Sequence, residues 1–298
     1  YLPPKPPRDT ESCVTPFGNP LPTDSVFLEP ALATGGHLDV LWQPFEFLII
    51  FGAAIGGLLI GSPMKVVIGL AKSFGTLLKG PRYSKANYLE LLTMLYAVFR
   101  LARSKGELAL ESHVENPHES ALFQNYPTFA AQHHALEFFC DYLRLLTLGT
   151  GNAHEVETIM DRELEVHHGE QHDISGAMQT MADGLPALGI VAAVLGVIHT
   201  MGSITEPPEV LGHLIGGALV GTFSGVLAAY GFVGPMATSL EKSFADDAAY
   251  MECIKVALLA HMQGYAPQVS VEFARKILHG RVRPTFAEVE EALEEAEA

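Results

Sequence analysis

Three stretches of this chain carry no formal charge and are long enough to leave water. Phe47–Met64 runs 18 residues, Gly184–Thr205 runs 22, and Val210–Leu240 runs 31. A helix crossing a bilayer core needs about 17–25 predominantly apolar residues. The two later stretches meet that comfortably, and the first meets it with Glu46 placed at headgroup depth. Their small residues are dense, with Gly189, Ala192, Ala193 and Gly196 in one and Gly217-x-x-x-Gly221-x-x-x-Gly225 in another. Glycine weakens a solvated helix by about 1 kcal/mol but lets membrane helices pack closely. The pattern predicts an all-α polytopic membrane protein: transmembrane helices, a large helical cytoplasmic loop and a helical C-terminal tail.

The charged residues lie elsewhere. The 298-residue chain has 34 Asp and Glu against 18 Lys and Arg, a formal net charge of -16. Without clustered cations it is a poor partner for nucleic acid. From Lys65 to Lys105 there are eight Lys or Arg and one acid, Glu90. By the positive-inside tendency, 65–183 faces the cytoplasm. The turn Glu206-Pro207-Pro208-Glu209 then faces outward, and the tail 241–298 returns inside. The expected order is an outer segment and membrane helix over 34–64, the loop 65–183, membrane helices at 184–205 and 210–240, and the tail.

Within the loop, 86–106 and 129–149 read as amphipathic helices, the second ending on Gly149. An acidic helix follows over 152–175. From 106 to 183 the chain holds 14 acids and two bases, which is a solvated face or a docking surface for a basic partner. In the tail, 241–263 extends the last span, 267–278 forms a further helix, and Thr285 with Glu288 makes a capping box before an acidic helix.

No catalytic constellation is present. There is no phosphate-binding glycine loop, and Cys13, Cys140 and Cys253 lie too far apart for a zinc or disulfide framework. The histidines, His167, His168 and His172 included, read as solvated, so neither metal nor cofactor is expected. Neither later span holds a carboxylate, lysine or arginine in its interior, and His199 lies near an end. An ion pathway usually needs an intramembrane ionisable group, so either this chain conducts nothing or another chain brings the carboxylate. Pro186 and Pro235 sit at the entrance and exit of the spans, and Thr222 lies mid-span.

The blocks LPALGIVAAVLGVIHTMGS, LIGGALVGTFSGVLAAYGFVGPMA, RYSKANYLELLTMLYAVFRLARSKGELALESHVENP and MECIKVALLAHMQGYAPQVSVEFARK resemble the flagellar-motor stator A subunits, the MotA branch of the MotA/TolQ/ExbB proton-channel family. The resemblance runs from about Thr34 to Pro284. It implies an inner-membrane, non-enzymatic proton channel that turns ion flow into torque, with five A subunits around two MotB-type subunits that carry the essential aspartate. It also implies contact with the rotor switch protein FliG through Arg103 and Glu111, with a further acidic position at Glu163. The prolines coupling ion flow to movement correspond to Pro186 and Pro235, and the pore-side threonine to Thr222. Ala193 stands where sodium-driven relatives carry a second threonine, which favours protons.

Other readings are an energiser subunit of the TolQ/ExbB type and a non-conducting membrane scaffold. One segment departs from the family. Where a first membrane helix belongs, residues 14–33 carry four prolines, an Asp and a Glu and cannot span a bilayer. Residues 1–33 form an atypical polar N-terminus in place of the family's first membrane helix: either a disordered or extended outer segment that leaves three spans, or, as the preferred expectation, a stretch that does not represent the native start.

Overall fold

In the computed structural model, the structure describes residues 41–77, 83–149 and 152–297. The expectation for residues 1–33 therefore lies outside the described residues. The described elements are helical and fall into two compact units, one built from described residues 41–77 with 172–241 and the other from 83–149, 152–171 and 242–297.

In the first unit, α1 (Pro44–Gly61) starts on a proline at its first turn, where the missing N–H costs nothing. Pro63 interrupts the helix, and α2 (Met64–Leu77) follows. The stretch 152–175 and the apolar stretch after it form one 50-residue helix, α8 (Ala153–Gly202), with Pro186 inside it. Two helices were expected there. The uncharged residues and the acidic ones share an uninterrupted helical register, and one proline removes a single N–H donor, for the carbonyl of Ala182, without ending the helix. A short turn leads to α9 (Pro208–Leu227), a π-helical turn (Ala228–Val233) and α10 (Gly234–Met262). Among the described residues, three helical runs are long and apolar enough to cross a membrane: Pro44–Gly61, Ala153–Gly202 and Pro208–Met262.

The buried cluster of this unit is small, with four alanines, Ala54, Ala192, Ala228 and Ala229, beside Ile50 and Leu185. Large apolar side chains such as Ile190, Leu195, Ile198, Leu219 and Phe223 point outward. That inversion suits hydrocarbon as solvent, where close backbone packing replaces hydrophobic burial as the force between helices.

The second unit is built as a water-soluble core. Helix α3 (Lys85–Lys105) begins at Ser84, whose hydroxyl and backbone N–H pair reciprocally with Asn87. It ends at Gly106, where φ is 86°, a left-handed value that a side chain resists. Then come a 3₁₀ turn (Glu107–Leu110), the short helices α4 (Glu111–Glu115), α5 (Ala121–Gln124) and α6 (Pro127–Ala130), and α7 (His133–Thr147). The single helix expected over 129–149 is broken at 131–132. The Glu90 carboxylate accepts the N–H groups of Thr128 and Phe129 at 2.7 and 3.1 Å, which satisfies the first-turn donors of α6 and fixes where that turn begins. Phe99, Phe123, Phe129, Phe139, Leu143, Met160, Ile254 and Leu258 are fully buried together.

The tail completes this core. Helix α11 (Pro267–Ile277) is joined to α12 (Phe286–Glu297) through Arg275, which is paired with Glu272 and donates to the Pro284 carbonyl at 2.9 Å. The capping box forms as the sequence indicates, Thr285 N–H to Glu288 at 2.7 Å and Glu288 N–H to the Thr285 hydroxyl at 3.3 Å. Lys85 reaches the same carboxylate from α3 at 2.7 Å, so the acidic end helix has a fastening the sequence did not reveal.

Candidate functional site

The first unit is organised around the crossing of α8 and α9. A Cβ placed on Gly225 would lie 2.7 Å from the carbonyl oxygen of Leu185 and 2.8 Å from Cα of Gly189. One placed on Gly189 would meet the Gly221 carbonyl oxygen at 2.8 Å, and one on Gly196 would meet Ala218 Cβ at 2.7 Å. The two backbones touch along this line because no side chain separates them. A Cβ on Gly221 would lie 3.1 Å from the backbone nitrogen of Ala193. The crossing thus sets Leu185, which precedes Pro186, against Gly225, and the Ala193 backbone against Gly221, which precedes Thr222. Pro186, Ala193 and Thr222 are themselves half-buried.

Pro235 lies apart from this line, exposed, one residue into α10. Its influence shows just upstream. A proline ring clashes with the carbonyl four residues back, here Gly231, and the helix widens over Ala228–Val233 before reaching it. The Gly234 N–H donates to the Ala229 carbonyl, five residues back. A Cβ on Gly234 would sit 2.9 Å from that same oxygen. Sequence reading placed Pro235 at the exit of the span but did not foresee the π turn ahead of it.

Arg103, Glu111 and Glu163 are all exposed in the second unit. Arg103 leaves the last turn of α3, and its Nη1 donates to the Tyr265 carbonyl at 3.2 Å. Nearby, His261 stacks on Phe99 with ring centroids 4.5 Å apart and planes 7° from parallel. Burial, with the adjacent Arg103 charge, holds the His261 imidazole below its usual range. The left-handed Gly106 turns the chain between Arg103 and Glu111, and no ion pair joins the two among the described residues. Glu163 accepts a 2.6 Å hydrogen bond from the buried Tyr142 hydroxyl. Burial and the Glu163 carboxylate both push that phenol up.

Sequence reasoning missed three positioning groups: Tyr142 behind Glu163, the Tyr265 carbonyl behind Arg103, and Lys255. Lys255 is buried and donates to Asp161 at 2.6 Å and Glu252 at 2.8 Å. Burial alone would lower its affinity for protons, but the two carboxylates outweigh it and raise it. A helical pattern that places a lysine on the apolar face of 241–263 is the signal that points to such a pair.

His134 and His167 lie 4.6 Å apart between ring centroids. Among the described residues no group of three or more His, Cys, Asp or Glu side chains is arranged to hold a metal. Cys140 and Cys253 are buried free thiols, and burial pushes Cys140 up to about 12.

Residues 29–106 match the family described as Motility protein A N-terminal, and residues 131–253 match the MotA/TolQ/ExbB proton channel family. The chain is 45% identical over 260 residues to Motility protein A of Escherichia coli (strain K12), covering 87% of this chain and 88% of that protein. The chain belongs to the motility protein A family. It is a flagellar-motor stator subunit, a multi-pass protein of the inner membrane, and not an enzyme. Its fold is similar to that of C. jejuni MotAB, with a TM-score of 0.72 at 20% identity over 88% of this chain and 94% of that one. It is also similar to the flagellar MotAB stator complex from Bacillus subtilis, with a TM-score of 0.62 at 25% identity over 83% of this chain and 91% of that one.

Proposed function

We propose that this motility protein A family member conducts protons only together with a MotB-type subunit and turns their passage into torque on the rotor. The observation that carries the reading is the close α8–α9 crossing. Its line of contact runs through Leu185, Ala193 and Gly221, at or next to Pro186, Ala193 and Thr222 in the chain, in spans whose interiors contain no carboxylate, lysine or arginine. A seam without its own ionisable group requires the partner's membrane aspartate. Ala193, with no hydroxyl to coordinate a cation, fits protons rather than sodium.

In this reading Pro186 and the π turn ahead of Pro235 are the points where the helices yield as the partner's carboxylate changes charge. Residues 65–183 and 241–298 face the cytoplasm. Arg103, Glu111 and Glu163 meet charged groups of FliG, and five copies of the chain surround two partner subunits. Complementation of a strain lacking its own stator A subunit tests the reading. Tethered cells rotate when the chain and a MotB-type partner are supplied together. Pro186→Leu removes rotation while the complex still assembles. Rotation without the partner, or undiminished rotation with Pro186→Leu, contradicts it.

A further inference from the structure

Helix α2 divides into three sectors by burial and chemistry. One sector packs inward: Leu70, Ser73 and Leu77 are buried, and a Cβ on Gly69 would lie 2.7 Å from Cδ1 of Ile174 on α8. A second sector is apolar and exposed, with Met64 62%, Ile68 49% and Phe74 42% accessible and Ala71 among them. The third sector holds Lys65 and Lys72, seven residues apart on one edge of that apolar sector and both exposed. Neither lysine makes an ion pair among the described residues. At 14 residues the helix spans roughly 21 Å, too short to cross a hydrocarbon core.

We propose that α2 lies in the membrane surface and binds anionic lipid, its Met64, Ile68, Ala71 and Phe74 face entering the acyl boundary while Lys65 and Lys72 hold acidic headgroups. Two observations select lipid as the occupant. The exposed apolar sector begins three residues after α1 ends, and Ile60 at the close of that span is itself 90% exposed. Exposed apolar residues therefore stand on both sides of the Ser62–Pro63 break. The lysines sit together at one edge of the apolar sector, which is how an interfacial helix meets negative headgroups. Each cation near such a surface adds a roughly additive attraction. The inference rests on α1 being a membrane span and is independent of how the motor is driven.

The test uses the full chain with its MotB-type partner in lipid nanodiscs. A bimane label is placed at Ala71→Cys, or at Ile68→Cys should the first not assemble, in a Cys13→Ser background. Lipids brominated on the acyl chain quench either label, whereas a label at Leu108→Cys in the second unit is not quenched. Brominated phosphatidylglycerol diluted into phosphatidylcholine quenches more strongly than brominated phosphatidylcholine at the same dilution. Lys65→Gln with Lys72→Gln lowers that preference on the order of tenfold and leaves quenching by neutral lipid in place. Absence of quenching at both α2 positions means protein covers the face, such as a second copy, and overturns the proposal. Equal quenching by the two lipids, or a preference unchanged without the lysines, overturns the anionic part.

Discussion

The carbonyl oxygen of Leu185 faces Gly225 so closely that a single added Cβ would stand 2.7 Å from it. Backbone cannot retreat as a flexible side-chain tip can, so the crossing excludes any residue but glycine. Gly225→Val should separate the two spans, costing about 1–3 kcal/mol in overpacking. Thermal unfolding of the solubilised complex checks the direction. Gly212→Ala serves as control, because a Cβ there meets nothing within 4 Å.

Arg103→Glu is expected to abolish rotation with little loss of stability. Its guanidinium donates to the Tyr265 carbonyl at 3.2 Å, and an exposed contact of that kind contributes about 1 kcal/mol at most. Motility in soft agar and the midpoint of thermal unfolding should therefore diverge. An opposite charge reversal in the rotor protein restores swimming if Arg103 acts there.

Tyr142→Phe leaves the ring's packing intact and removes the 2.6 Å hydrogen bond to Glu163. A hydrogen bond to a charged group contributes about 1.5–3 kcal/mol, and exposure of Glu163 to water places this one toward the low end. Denaturant unfolding measures the loss. Glu163 should also become freer in orientation, so torque falls in the Phe variant without loss of assembly.

Acidification should weaken the second unit through two histidines. His261 and His167 are both held below the ordinary range of about 6.5, chiefly by burial, with Arg103 and His134 respectively adding to it. A base whose folded value is depressed binds fewer protons folded than unfolded, so stability rises with pH. The contribution is complete above about 6.5 and is lost as pH falls below it. Glu288 acts lower on the scale. Lys85 and Thr285 hold it down to about 2, so its contribution is present above the ordinary carboxylate range and declines as pH falls toward that value. Unfolding midpoints measured from pH about 8 to about 4 should fall first through the histidine window. His261→Gln should flatten that part of the curve.

Much of this architecture was legible because two solvents write different patterns into a sequence. Uncharged stretches marked the spans, and apolar residues at helical spacing marked the helices over 85–105 and 267–277. The positions of the glycines indicated close contact, though only coordinates pair Gly189 with Gly221 and Gly225. The unbroken helix from Ala153 to Gly202 was not legible, because Pro186 and the change from acidic to apolar residues both look like boundaries. The start of α6 is held by Glu90, some 40 residues earlier, and local pattern carries no trace of it. Helix α2 was read only as basic residues following a span. Its three sectors emerge once burial shows which side meets α8. Pro186, Ala193 and Thr222 were picked out by family resemblance, and what the fold adds is the close backbone contact at Leu185, Ala193 and Gly221, at or next to them in the chain.

Proton flux measured with an internal pH dye in vesicles holding the chain, under an imposed gradient, tests the central claim most directly. The account predicts flux when the MotB-type partner is present, background flux for the chain alone, and background flux when the partner's membrane aspartate is replaced by asparagine. Conduction by the chain alone, or conduction that survives loss of that aspartate, would contradict it.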